Sequence, residues 1–89
     1  MKKPTVMPWS SIDGAVDEAD IMAIKALAAG KASEGQQKRA LDLIIYRIAG
    51  TYDLSFRPGI DGERATCFAE GKRHVGNQIV RLTKLVIKT

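Results

Sequence analysis

The stretch Phe68-Ala69-Glu70-Gly71-Lys72-Arg73-His74-Val75-Gly76 decides how this chain is read. It lies in a run whose apolar residues recur at helical spacing, yet it carries two glycines. Glycine costs about 1 kcal/mol relative to alanine inside a helix. Two of them in such a run point to close approach of another body: a neighbouring helix, a partner chain or a phosphate backbone. Phe68, Gly71, Val75, Ile79, Leu82 and Val86 follow one another at steps of three or four residues. The spacing predicts a long helix, N-capped by Asp61, with one buried face. On that face Phe68 and Val75 flank Gly71 as a packing motif, with Gly71 letting the helix press against its neighbours. Gly76 lies off the stripe and marks either a bend or a second close contact. The β-branched end from Ile79 to Lys88 is also compatible with a terminal strand.

Working outward, two shorter helices precede this one. Asp13 to Ala29 shows a stripe of Val16, Ala19, Ile21, Ile24 and Leu27, with Asp13 or Asp17 as N-cap and Gly30 at the end. Ser33 to Ala49 opens on a Ser33/Gln36 capping box, repeats Ala40, Leu41, Ile44, Ile45 and Ile48, and stops at Gly50. The short link between them implies an antiparallel pair. Thr51 to Ile60 reads as a loop in which Tyr52, Leu54 and Phe56 follow a half-buried path and plug the end of the pair. Residues 1–12 read as an extended arm broken by Pro4 and Pro8. Its Trp9 docks either on the chain's own core or on a neighbouring subunit. The expected fold is therefore all-α: an arm over 1–12 and one helical domain over 13–89, an antiparallel pair plus a longer C-terminal helix.

Length sharpens one point. A third helix from Gly62 to Val86 would be about 38 Å long, against about 22 Å for the first two. Its end overhangs the pair and exposes Leu82, Leu85 and Val86 unless another molecule covers them. With Trp9, these residues form the candidate partner interface.

The 89 residues carry a net charge of +4, unevenly placed. Ser11 to Asp20 holds Asp13, Asp17, Glu18 and Asp20 and no base; Gly71 to Thr89 holds Lys72, Arg73, Arg81, Lys84 and Lys88 and no acid. The preferred reading brings the two segments together, within the chain or between copies; the alternative is an acidic partner or nucleic acid. Arg73, Asn77, Arg81, Lys84 and Lys88 share one side of the third helix, a face able to meet phosphates. Basic residues also suit a helix C-terminus for dipole reasons alone. Glu70 pairs with Arg73 or His74 as a surface pair.

Catalytic chemistry is hard to place. One domain of this size does not hold a large catalytic cavity besides its core. The single Cys67 and single His74 lack an orienting third group, and Cys67 reads as a small buried hydrophobe. No metal cluster, phosphate loop, cofactor or small-molecule substrate is expected. The lone cysteine excludes an intrachain disulfide and fits a reducing compartment. No apolar run reaches the roughly 18 residues of a membrane span, and the N-terminus lacks the apolar region of a signal peptide.

Two segments carry a resemblance. Gly50-Thr51-Tyr52-Asp53-Leu54-Ser55-Phe56 resembles a G-x-Y-x-x-S-F element, and Ala65 to Gly76 resembles A-x-x-F-x-E-G-x-R-x-V-G. In this order they are similar to a family of small tailed-bacteriophage proteins named after a Bordetella phage member, over roughly residues 33–82. Asp53 departs from an often basic family position. The resemblance implies a phage context among structural and packaging genes, in the virion or the host cytoplasm during infection. It implies no catalytic residue. The expected function is a non-enzymatic virion-associated or assembly module that binds phage proteins and itself. A DNA-binding packaging accessory and a host-directed inhibitor are the alternatives.

Overall fold

Two capping boxes set the helix pair. We analysed a computed structural model of the chain, which describes residues 7–87. The expected arm residues 1–6 and the basic-row residue Lys88 lie outside the described residues. Asp17 caps α1 (Glu18–Ala28), its carboxylate accepting from the Asp20 backbone while Asp20 accepts from that of Asp17. Ser33 and Gln36 do the same for α2 (Glu34–Asp42). These reciprocal bonds satisfy orphan donors that every helix start leaves open. α1 ends in two bonds, from Gly30 to the Leu27 carbonyl and from Lys31 to that of Ala26, the pattern of a Schellman motif. Upstream, the expected helix start at Asp13 gives way to a short 3-10 turn, Ile12–Ala15, because Val16 and Asp17 are extended. Met7 to Ser10 closes as a turn, with the Ser10 backbone donating to the Met7 carbonyl at 2.9 Å.

α2 continues into a π-helical segment, Leu43–Ile48, that periodicity did not anticipate. Its wider ladder shows where the Ala49 backbone donates to the Ile44 carbonyl, five residues back. Gly50 then turns the chain at φ +58°, a left-handed angle that favours glycine. Thr51 folds back beneath the segment: its N–H and its hydroxyl both donate to the Ile45 carbonyl, at 3.1 and 2.7 Å. Thr51 is 1% exposed and is the largest fully buried side chain among the described residues.

α3 (Gly62–Lys84) is the long helix, about 34 Å at the usual rise. The fold is all-α, with no strand among the described residues. α3 remains helical through Lys84, so the strand alternative from Ile79 does not hold for that part; Leu85 is extended. Its main helix contact is with the π segment. The buried face of α3 is not the expected stripe. Gly62, Ala65, Ala69 and Gly76 are buried, whereas Phe68, Gly71 and Val75 are exposed. The packing motif is therefore corrected: small residues, not Phe68, Gly71 and Val75, form the buried face of α3.

The resulting core is slight. It consists of Ala23 and Ala40 between α1 and α2, Leu43, Ile45 and Ala49, and Ala65 and Ala69 of α3. The aromatic plug is also corrected: Tyr52, Leu54 and Phe56 lie on the surface, and the buried side chain of this loop is Thr51, held between the Ile45 carbonyl and Gly76. The molecule is thin, 48 × 36 × 17 Å, with a radius of gyration of 15.4 Å. A compact chain of this length would have about 12 Å.

Candidate functional site

The two motif segments meet in space and form a clamp. α3 crosses the Gly50–Thr51 corner so closely that no side chain fits at Gly76. A Cβ there would overlap the Thr51 hydroxyl and lie 2.9 Å from the Ala49 methyl. Gly76 is the close-approach glycine, and its neighbour is the chain's own loop. Beside it, Arg73 Nε donates to the Thr51 carbonyl at 3.1 Å and its guanidinium pairs with Glu70 at 2.6 Å. The Ser55 hydroxyl donates to the same Glu70 oxygen. These two bonds, Ser55's first, hold the Glu70 carboxyl below its ordinary value. Further along, the Arg57 backbone donates to the Thr66 hydroxyl at 2.9 Å. The residues that carry the resemblance thus dock the loop on α3.

This position reduces the predicted basic face. Arg73 is committed to Thr51 and Glu70. Asn77, Arg81 and Lys84 remain exposed, and neither Arg81 nor Lys84 has an acidic partner among the described residues. The acidic segment finds its cation elsewhere. Arg39 of α2 reaches Asp20 at 2.7 Å and Asp17 at 3.0 Å. The Asp17 backbone bond, then Arg39, lowers the Asp20 carboxyl. The expected meeting of acidic and basic segments within the chain is replaced by an α1–α2 tie.

The candidate partner residues lie on open surface. Trp9 packs edge-on against Phe68 with ring centres 5.7 Å apart, and Lys72 Nζ donates to the Pro8 carbonyl at 2.8 Å. Trp9 is nonetheless 42% exposed and Phe68 45%. Val75 is 57% exposed, and Leu82, Leu85 and Val86 are still more open or similar. At 3.6 residues per turn, the stripe of Phe68, Gly71, Val75, Ile79 and Leu82 points roughly 110° away from the packed small-residue face. Gly71 has no atom within reach of an added Cβ. A second apolar groove of about 550 Å³ lies between the 3-10 turn and α1, lined by Ile12, Val16, Ile21, Ile24, Leu43 and Ile48 among others.

Cys67 is exposed, correcting its expected burial, and the His74 ring pairs with Gln78 at 3.3 Å. No group of three or more metal-ligating side chains is gathered among the described residues, and no helix there is long and apolar enough to cross a membrane. What sequence reasoning missed is the burial of Thr51 and its place as the neighbour that Gly76 approaches. The available signal was the small-residue series Gly62, Ala65, Ala69 and Gly76, which shares a helix face. No protein-family model matches the chain, and no curated protein or solved structure does so either. The likeness to the phage family rests on the two motifs alone.

Proposed function

We propose that this protein is a small non-enzymatic interaction module of a tailed bacteriophage, acting in the virion or in its assembly, and that association completes its fold. One observation carries the reading: most of the large apolar side chains are on the outside. Alanines, Thr51, Leu43 and Ile45 fill the interior, while Phe68, Val75, Leu82, Leu85 and Val86 line an open helix face and its extension. Monomeric soluble proteins rarely leave contiguous apolar patches of more than a few hundred Å² uncovered. The two motifs add the phage context, and with it the host cytoplasm during infection or the particle as the location. The partners are phage structural or assembly proteins and a second copy of the chain.

The test is mass measurement across concentration, alone and with the structural proteins of the same phage. Self-association or a stable complex supports the reading. A strict monomer that binds none of those proteins contradicts it. A second reading, a DNA-binding packaging accessory, draws on the exposed Arg81 and Lys84. It requires duplex binding that falls steeply with salt. With Arg73 already engaged in the clamp, the described row offers few cations for such contacts.

A further inference from the structure

We infer that α3 pairs with the α3 of a second copy, antiparallel, about a two-fold axis passing close to Val75. The inference rests on the interaction-module reading and names its partner and geometry. Three observations carry it.

The first is area. The chain exposes 7314 Å². A folded monomer of 9.7 kDa exposes about 5,100 Å² by size scaling. The excess, on the order of 2,000 Å², is spread over the whole chain and leaves room for the roughly 800 Å² per partner that a standard stable interface covers.

The second is period. Phe68, Val75 and Leu82 are seven residues apart, and Gly71 precedes Val75 by four. A seven-residue apolar repeat is the spacing that keeps one helix seam against another along its length. The seam lies on the open side of α3, with Val75 in the middle.

The third is self-complementarity. A two-fold axis at Val75 sets Phe68 of one copy beside Leu82 of the other, and Gly71 opposite Ile79. The gap left by Gly71, which nothing in its own chain fills, receives the branched side chain of Ile79. A parallel, in-register pair would instead face Gly71 with Gly71, leaving a void, and set the two basic ends side by side. The antiparallel pair holds the two Lys84 residues about 27 Å apart at 1.5 Å per residue and opposes the helix dipoles.

Thiol cross-linking of the full chain tests this. In a Cys67→Ala background, single Val75→Cys and Leu82→Cys variants are treated with a short bis-maleimide at micromolar protein. Antiparallel pairing predicts a cross-linked dimer for Val75→Cys, at least about tenfold more than for Leu82→Cys, whose thiols would be about 21 Å apart. It also predicts a dimer when Phe68→Cys and Leu82→Cys proteins are mixed. Efficient cross-linking of Leu82→Cys alone overturns the antiparallel geometry. Absence of the Val75→Cys product overturns the pairing, and if that protein still binds phage structural proteins, the broader reading survives. Gly71→Leu provides a variant independent of cysteine. Its helical circular dichroism should be retained while its dimer weakens at least tenfold, because the gap for Ile79 is filled. An unweakened dimer overturns the Gly71–Ile79 apposition.

Discussion

Two of α3's three glycines, Gly76 and Gly71, lie on different faces, and the two faces teach different things. Gly76 faces inward, where Thr51 and Ala49 leave no room for a Cβ. Around it Glu70, Arg73 and Ser55 tie the loop down. Gly71 faces outward among Phe68, Val75 and Leu82, with nothing of its own chain nearby. The inner face is made of small residues and polar bonds; the outer face is made of the large apolar residues that normally form a core. α3 therefore turns its small side chains to its own loop and leaves its large ones exposed.

The sharpest way to break this contrast is to add a methyl group to each glycine. Gly76→Ala should cost about 3 kcal/mol, at the upper end of overpacking effects, since the loop corner must move away. Denaturant unfolding monitored by circular dichroism measures it; a neutral result would mean that the Gly76–Thr51 contact is absent. Arg73→Met should cost about 1 kcal/mol, reduced from the value for a buried charged bond because the side chain is partly exposed. The same unfolding experiment reads it. Gly71→Ala should act in the opposite direction and stabilise the monomer by up to about 1 kcal/mol through helix propensity. A destabilised Gly71→Ala monomer would return Gly71 to the core.

The smallest expected effect is on pH dependence. Glu70 has its carboxyl lowered from 4.5 by Ser55 and Arg73, and Asp20 from 3.8 by the Asp17 backbone and Arg39. A depressed carboxyl contributes stability that is present above its unfolded value and lost as pH falls through its folded value. Stability should therefore be flat from pH 8 to about pH 5 with respect to these groups and decline below about 4.5. Glu70→Gln should flatten the upper part of that decline. An unchanged acid limb in Glu70→Gln would show that the Ser55–Glu70–Arg73 bonds add nothing in solution.

The helix pair was legible in the sequence because its signals are local. Asp17, Ser33, Gln36, Gly30 and Gly50 act within a turn of where they stand. Asp61 marked the start of α3, though its side chain makes no cap bond. The buried face of α3 was not legible, because an apolar stripe at helical spacing ordinarily marks the core. Here the stripe is exposed, and the core face reads only as Gly62, Ala65, Ala69 and Gly76. The π segment was hidden for a related reason. Its wider ladder runs beside the bonds from Thr51 to the Ile45 carbonyl, a contact that exists only once the loop has folded. The site followed the same division: Leu82, Leu85 and Val86 are exposed and Trp9 docks edge-on against Phe68 of its own chain, whereas Arg73 left the basic row for the clamp.

The central claim is that the outer face of α3 is an interface. Sedimentation equilibrium of the wild-type chain beside Leu82→Glu tests it most directly, because Leu82 is 69% exposed and its replacement leaves the monomer's packing untouched. The account predicts a wild-type dimer at micromolar concentration and a Leu82→Glu monomer with unchanged helical content. A wild-type chain that stays monomeric across the whole range, or a Leu82→Glu dimer as tight as wild type, would contradict it.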